Sequence, residues 1–243
     1  MPKILAFDIW GRYAHFKKIF ATTSALSYAI PSKTAMYGYA GAVIGLEKFD
    51  NYYLTQFESG ACKIGMQILH PIVMQRISTN LHPHDKGMIQ ANQNRKPTTL
   101  EYVYQPKYRI YFSHENGDIY GKLKEHLQNH TSIYTPTLGL ANLLSDFKFI
   151  GEFEPQLMQN DSKTSVEINS VIPRSKFINF DLDPNIYNEI IEYSQFSVEM
   201  NTMREVTTRD DVFFDRKGQS IRAFVDSYHT LQINQSKQNV IFF

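Results

Sequence analysis

The chain of 243 residues combines a 42% hydrophobic fraction with a net charge of +1, a balance typical of an ordinary globular protein. Its single cysteine, Cys62, excludes an internal disulfide framework and fits a reducing, cytoplasmic location. No apolar run reaches about 18 residues and no signal-peptide pattern is present, so we expect neither a membrane span nor export.

A strand and a helix are predicted at the start of the chain, within residues 3–46. Residues 3–9 (KILAFDI) are mostly apolar and predict a buried strand. Pro31 suits the start of a helix because its missing N–H would be unpaired there, and Met36, Val43 and Ile44 then lie on one face. Gly38, Gly41 and Gly45 lower the helix propensity. Together with Ala42, these small residues predict that another backbone lies close to the helix.

The loop between this strand and this helix is about twenty residues long, and ordered loops of that length are usually functional. It interleaves cations with aromatic rings at Arg12, Tyr13, His15, Phe16, Lys17 and Lys18. Such a composition binds phosphates and stacks bases, which predicts a contact with RNA. The alternative is that Tyr13 and Phe16 pack into the core while the lysines are only solvated.

A projecting hairpin is predicted in the middle of the chain. Residues 63–79 and 98–112 have the β-branched and aromatic character of long strands, each broken near a proline, at Pro71 and Pro106. The polar stretch 80–97 between them would form the tip, with cations at Lys86, Arg95 and Lys96.

A second helix, a turn and a fourth strand are predicted next. Helical spacing of apolar residues follows Asn116 to about Asn129, the turn is Thr135–Gly139, a short helical piece covers residues 140–145, and FKFIGEF forms the strand. The resulting order β-α-β-β-α-β predicts an α+β fold with a ferredoxin-like, RNA-recognition-like body and a projecting β-hairpin. Many unrelated proteins share that order, so it does not by itself indicate RNA binding.

The remaining residues have a different character. Residues 1–150 hold 16 Lys and Arg against 10 Asp and Glu, whereas residues 151–243 hold 9 against 14. We predict an RNA-binding domain at 1–155 and a small, mainly β subdomain at 156–243, which contains a short helix from Asp183 to Tyr193 and several short strands. The basic first part would attract phosphate and the acidic second part would not.

Metal and cofactor sites are weakly indicated. His82, His84 and Asp85 offer three possible ligands in four residues, but no second cluster accompanies them, so a polar loop is the better interpretation. The glycines of GYAGAVIG lie inside a helix and lack the Lys of a phosphate loop. We expect no metal and no cofactor. Acid–base chemistry on RNA needs a few polar groups near a 2′-hydroxyl, and the candidates are His15, Tyr37, His114, Lys122 and Lys124.

The string FDIWGRYAHFKKIFATTSALSYAIPSKTAMYGYAGAVIGLE resembles the N-terminal signature of the fifth CRISPR-associated (Cas) protein family, in its type I-B-like form. Thr135–Gly139 before FIGEFE resembles a second marker of that family, which belongs to the RAMP superfamily. A third marker is similar to Val198–Asn201 followed by Arg204 and Glu205. The resemblance runs through nearly the whole chain in the same order.

This resemblance implies a non-catalytic subunit of the type I surveillance complex, Cascade, in antiviral defence. The subunit would hold the repeat-derived 5′ handle of the CRISPR RNA and contact the large subunit and the first backbone subunit. Its hairpin, called a thumb, would lie across the guide where target DNA pairs with it, so that base pairing reads the target. No membrane is involved.

Residue by residue, the resemblance implies handle contacts from three segments and phosphate contacts from the thumb. The three segments are the loop with Arg12, Tyr13, His15, Lys17 and Lys18, the helix start with Ser32, Lys33, Thr34 and Tyr37, and the turn Leu138-Gly139-Leu140. The thumb would contribute Lys86, Arg95 and Lys96.

Two rival hypotheses remain. One branch of the family is itself a metal-independent endoribonuclease that uses a Tyr/Lys/His set, and here Tyr37 and His114 would be the candidates, although a Lys-His pair is absent at the required place. The other rival is a stand-alone protein that binds single-stranded RNA tightly without neighbours.

Overall fold

The computed structural model describes residues 2–18, 25–57, 60–81, 96–160, 164–181 and 188–243. Its first part contains β1 (Ile4–Gly11), β2 (Tyr13–Ala14), β3 (Phe16–Lys17), β4 (Ser27–Tyr28), α1 (Lys33–Ile44), α2 (Tyr52–Thr55), β5 (Cys62–Ile68), β6 (Val73–Leu81), β7 (Lys96–Tyr104), β8 (Lys107–His114), α3 (Gly117–Gln128) and β9 (Ser145–Phe153). The second part contains β10 (Gln156–Gln159), β11 (Val166–Ile168), β12 (Ile172–Pro173), β13 (Phe177–Phe180), β14 (Ile190–Met200), β15 (Val206–Asp215), β16 (Ile221–Val225), β17 (Ser227–Ile233) and β18 (Ser236–Val240). The predicted α+β class is confirmed, with strands in the majority.

The central sheet has the antiparallel strand order β5-β8-β1-β9. Strand β1 is buried on both faces, because alternate side chains of a strand point to opposite sides. Leu5 and Phe7 pack on the side of α1 and α3, within the largest core cluster. Ile4 and Ala6 pack on the opposite side against Leu231 and its neighbours in β17 and β18. The helices thus cover one face of the sheet, and a C-terminal hairpin covers part of the other.

Both long helices predicted from the sequence are confirmed. Ser32 caps α1 by accepting a hydrogen bond from the Ala35 N–H, so the helix begins at Lys33 rather than at the proline. Gly45 ends α1 with φ +76°, a left-handed conformation that glycine adopts without strain. The side chain of Asn116 caps α3.

The predicted long strands are each divided in two. Residues 63–79 form β5 and β6, separated near Pro71, and residues 98–112 form most of β7 and β8, separated at Gln105 and Pro106. β5 and β8 belong to the central sheet, whereas β6 and β7 pair from Val73↔Tyr104 to Leu81↔Lys96 as a separate hairpin. Each break removes a proline from the ladder of hydrogen bonds. Of the predicted tip at residues 80–97, residues 80–81 end β6 and residues 96–97 begin β7, while residues 82–95 lie outside the described residues.

The second part of the chain shares its core with the first. Phe196, Val212 and Phe214, from the paired strands β14 and β15, belong to the same cluster as Phe7 and Val43. The domain boundary at residue 155 stays a prediction. None of the described helices is long and apolar enough to cross a lipid bilayer.

Two short helices predicted from the sequence are wrong where the structure describes them. Residues 190–193, placed in a helix after Asp183-Pro184, begin strand β14, in which Ile190 pairs with Asp215 and Ile191 with Phe214. Successive β-branched residues favour a strand there. Residues 140–143 form turns, closed by a hydrogen bond from the Leu138 N–H to the Leu143 carbonyl, and Ser145 already begins β9.

Candidate nucleic-acid interface

The loop from Arg12 to Lys18 joins the base of the hairpin to the turn at residues 135–140. Its strand β2 pairs with β7, so that Tyr13 lies opposite Tyr104. The His15 N–H donates to the Leu138 carbonyl at 3.0 Å. Three of the segments expected to contact RNA, the loop, the hairpin and the turn, therefore meet in space.

His15 holds this junction together. Its side chain is buried, and Nδ1 donates a hydrogen bond to the Glu101 carbonyl at 2.7 Å. Gly139 lies against its backbone with φ +100°, and a Cβ atom there would be 1.9 Å from the His15 carbonyl oxygen. The buried imidazole thus positions the loop, and a contact between His15 and RNA stays a prediction.

Aromatic rings and cations gather at the base of the hairpin. The Tyr13 ring lies 5.7 Å from that of Tyr102 and 5.4 Å from that of Tyr104, and the guanidinium of Arg12 lies 5.9 Å from the Tyr13 ring centre. Arg12 and Lys17 are exposed. Phosphate could reach these two cations from solvent. The sequence patterns did not identify Tyr102 and Tyr104 as candidate RNA contacts; the structure adds them to the candidate interface.

Lys18 connects the loop to the second part of the chain. Its ammonium lies 5.5 Å from the centre of the Tyr28 ring and 4.9 Å from that of Tyr193 in β14. The Tyr193 hydroxyl accepts a hydrogen bond from the Ala29 N–H at 3.1 Å. The half-buried cation is thus held by two rings rather than freely presented to a ligand.

Lys33 and Tyr37 are buried in the interior. The Lys33 side chain is 3% exposed, and its Nζ lies 2.5 Å from Oε1 of Glu199, while the Tyr37 hydroxyl donates to Oε2 at 2.9 Å. Burial first, and then the Glu199 carboxylate, raise the pKa of Tyr37. Both side chains are bonded to Glu199 inside the core rather than presented to solvent, and their contact with RNA stays a prediction.

The pair of residues considered for catalysis, Tyr37 and His114, lies in the same core. The Phe57 ring stacks on Tyr37 at 4.9 Å and meets His114 edge-on at 5.6 Å, so it lies between them. His114 is 4% exposed; its Nε2 donates to the Gln56 carbonyl and its Nδ1 accepts from the Asn116 N–H. Burial lowers the His114 pKa. Both nitrogens of the neutral ring are occupied by backbone groups.

A groove of about 580 Å³ runs along one side of α1. Thr34, Ala35, Gly38 and Ala42 of the helix form one wall, and Phe16 from the loop lines it as well. The helix start and the cation-rich loop, both expected from the sequence to contact RNA, therefore open onto one cavity.

The glycines of α1 explain the shape of this groove. A Cβ atom at Gly38 would meet nothing within 4 Å, so the absence of a side chain there leaves open space. A Cβ atom at Gly41 would meet only the side chains of Leu46 and Tyr53, at 3.7–3.8 Å. The expectation of a closely packed backbone is wrong at Gly38, where small size opens the groove to solvent.

Residues from other segments also line the groove. Thr137 and Gly139 belong to the turn, Tyr134 precedes it, and Tyr53 lies in α2. Two cations complete the lining: Lys48 follows α1, and Arg204 lies between β14 and β15. Sequence analysis missed Lys48, which no pattern marks, whereas Arg204 belongs to the third marker of the resemblance.

The remaining predicted residues divide by position. Leu138 is fully buried and supports the turn, whereas Leu140 is exposed at its surface. Ser32 caps α1 and bonds to the Thr34 hydroxyl at 2.9 Å. Lys86 and Arg95 lie outside the described residues, and Lys96 opens β7.

Metal binding finds no support in the described ranges, where no group of three or more His, Cys, Asp and Glu side chains could hold an ion. His82, His84 and Asp85 lie outside those ranges.

Several solved structures are similar to this chain. One of them, a CRISPR protein from Archaeoglobus fulgidus, matches over 98% of both chains, with 10% sequence identity and a TM-score of 0.56. The chain has the fold of a CRISPR protein. A chain of a CRISPR RNA-guided surveillance complex is similar over 97% of this chain and 91% of its own, with 9% identity and a TM-score of 0.47.

A third similar structure is a chain of the type III-B Cmr-beta complex bound to cognate target RNA and AMPPnP. The similarity covers 90% of this chain and 86% of the other, with 11% identity and a TM-score of 0.43. No family model and no curated protein matches the sequence.

Proposed function

We propose that this protein is a non-catalytic, RNA-binding subunit of a CRISPR RNA-guided surveillance complex. The observation that carries the proposal is the groove beside α1, because three segments that the sequence marks for RNA contact line it together with two cations. The fold shared with a CRISPR protein over 98% of the chain supports the same function.

The chemistry of the groove suits single-stranded RNA. Tyr53 and Tyr134 can stack on bases, Thr34 and Thr137 offer hydroxyl groups, and Lys48 and Arg204 can neutralise phosphates. No acidic side chain appears among the described residues that line it. The exposed cations at Arg12 and Lys17 extend the positive surface towards the hairpin.

The finer assignment follows from the strand order and the resemblance together. The sheet order β5-β8-β1-β9, with α1 after the first strand and α3 after the third, is consistent with a ferredoxin-like, RNA-recognition-like body. We assign the protein to the fifth Cas family, in its type I-B-like form, with the β6–β7 hairpin as the thumb. Its ligand would be the 5′ handle of the CRISPR RNA.

Partners follow from the same assignment. The subunit would contact the large subunit and the first backbone subunit of Cascade in the cytoplasm, and meet target DNA only within the assembled complex. Weak RNA binding by the isolated chain and stable capture in the complex are expected. A stand-alone RNA-binding protein would instead bind tightly by itself, with a steep dependence on salt.

The alternative function, a metal-independent endoribonuclease, is less well supported. Its candidate groups Tyr37 and His114 are 1% and 4% exposed and lie on either side of Phe57. A general base must come within hydrogen-bond reach of the proton that it removes, and RNA cannot approach either group without unfolding this part of the core.

Incubation of end-labelled repeat RNA with the purified chain in EDTA tests the choice between these functions. A denaturing gel should show uncut RNA, while a known processing nuclease cuts the same substrate. One discrete cleavage product would favour the endoribonuclease. Co-expression of the tagged chain with its neighbouring subunits and a CRISPR array should then recover a complex that holds RNA; recovery of the chain without RNA and without partners would refute the proposed function.

A further inference from the structure

We propose that Lys48 and Arg204 form a two-cation clamp that holds one phosphodiester group of single-stranded RNA in the groove beside α1. The clamp rests on the proposed function and deepens it, because it assigns the phosphate contact to two residues from separate segments of the chain. One of them, Arg204, lies in the otherwise acidic second part of the sequence.

Both cations are available to a ligand. Lys48 and Arg204 are exposed and line the same groove. Within the described part of the chain, neither forms an ion pair with an acidic side chain. Two unpaired cations beside one cavity repel each other, and an anion between them removes that repulsion.

A hydrogen bond joins the segments that carry the two cations. The Asn51 N–H donates to the Lys48 carbonyl at 2.9 Å and closes the turn that holds Lys48. The side-chain amide of Asn51 donates to the Thr202 carbonyl at 2.9 Å, two residues before Arg204. Asn51 thereby fixes the separation of the two cationic segments, although its own side chain does not line the groove.

The turn around Arg204 leaves its guanidinium exposed to solvent. The Arg204 N–H donates to the Asn201 carbonyl, and Arg204 has φ +63°, a left-handed conformation in which side chains other than Gly and Asn are uncommon. The neighbouring carboxylate of Glu205 accepts a hydrogen bond from the Asn201 amide at 2.9 Å. Glu205, the acidic residue closest to Arg204 in sequence, is thus bonded to Asn201 rather than to the Arg204 guanidinium.

Strand β14 fixes this turn relative to the wall of the groove. Glu199, five residues before Arg204, is paired with Lys33 at the start of α1. One buried ion pair thus ties the helix to the strand that leads into the turn, and Arg204 lines the same groove as Thr34 and Gly38. Arginine suits this role because its planar group donates two parallel hydrogen bonds to a phosphate, while lysine adds a compact charge.

Fluorescence anisotropy of the full chain with labelled, repeat-derived single-stranded RNA, titrated at several KCl concentrations, tests the clamp. R204Q and K48Q should each weaken binding about tenfold. Each should also reduce the slope of log affinity against log salt by about 0.7, the value for one lost contact with single-stranded nucleic acid. R204K should retain the slope, and K237Q, at an exposed lysine in β18 that does not line the groove, should bind as wild type does.

The role of Asn51 in linking the two cationic segments is tested by a double-mutant comparison. N51A should weaken binding in the wild-type background but add little in R204Q, because the segment it holds no longer carries the cation. Additive losses would overturn the linked clamp.

The two proposals fail in different ways. If wild type binds RNA at low salt while R204Q and K48Q bind equally well with an unchanged slope, the clamp is wrong and the proposed function stands. If wild type binds no RNA even at low salt, the clamp is wrong. The proposed function fails with it only if co-expression with the neighbouring subunits also recovers the chain without RNA and without partners.

Discussion

Lys33 and Glu199 are separated by 166 positions in the sequence, yet their side chains form a buried ion pair with 2.5 Å between Nζ and Oε1. Lys33 begins α1 and Glu199 lies in β14, so the pair joins the N-terminal unit to the hairpin of β14 and β15. The Tyr37 hydroxyl donates to the second carboxylate oxygen and completes a three-residue network. Two of the strings that carry the family resemblance therefore meet at one contact in the core.

Removal of one member of this network should be costly. In E199A the ammonium of Lys33 and the hydroxyl of Tyr37 stay buried without their acceptor, and we expect a loss of about 3–5 kcal/mol in the free energy of unfolding. The triple variant K33M/Y37F/E199L removes all the polar atoms together and should be far closer to wild type. Urea denaturation measures both variants, and a loss below about 1 kcal/mol in E199A would show that the pair contributes little.

Filling the groove should separate RNA binding from stability. Gly38 in α1 and Gly121 in α3 both lie within a helix, and a Cβ atom at either would meet nothing within 4 Å, but only Gly38 lines the groove. G38L and G121L should each stabilise the protein by up to about 1 kcal/mol, the difference in helix propensity. Only G38L should lose RNA binding in the anisotropy assay.

The matched glycine makes this comparison informative. Equal RNA binding by G38L and G121L would mean that RNA does not occupy the groove, whatever else the chain binds. Thermal melts of both variants check that the added side chain has not disturbed the helix.

The turn at Gly139 should not tolerate a side chain. G139A places Cβ 1.9 Å from the His15 carbonyl oxygen in addition to the strain at φ +100°, and we expect a loss of more than about 3 kcal/mol. G60A is the matched control, since Gly60 has φ +91° with nothing within 4 Å of its Cβ position, and should lose only about 1–2 kcal/mol. Chemical denaturation of both measures the difference, and equal losses would mean that the contact with His15 is easily relaxed.

Local patterns predicted much of this architecture. The apolar run at residues 3–9, the Pro-Ser start of α1 and the cap at Asn116 each act over a few residues, and each element formed where expected. The helix predicted to end at Tyr193 failed in its described part because Ile190 and Ile191 pair with β15, a contact that no local pattern encodes.

The candidate site was harder to predict for the same reason. A lysine and a tyrosine at the start of a helix look available to a ligand, and only the fold reveals that Glu199 buries Lys33 and Tyr37. Lys48 and Arg204 are likewise brought to one groove by the docking of distant turns. Sequence spacing located the loop, helix and turn around the groove but could not determine which of their side chains face it.

His229 should make stability depend on pH in the weakly acidic range. Its ring packs edge-on against Phe242 at 5.0 Å, and burial, together with the charges of Lys63 and Lys176, lowers its pKa from 6.5 to about 4. The unfolded chain therefore binds a proton at a higher pH than the folded chain does. The contribution of neutral His229 to the free energy of unfolding is therefore fully present above pH 6.5. It is lost progressively as the pH falls from 6.5 to about 4.

Replacement of the imidazole should remove this dependence. The melting temperature of wild type minus that of H229Q should be constant above pH 6.5, fall between pH 6.5 and about 4, and level off below. H70Q, which removes an exposed histidine, should follow wild type across the same range. Differential scanning calorimetry at matched ionic strength gives both differences directly. A wild-type minus H229Q difference that stays constant through the window would mean that the His229 ring accepts a proton in the folded protein as readily as in the unfolded chain.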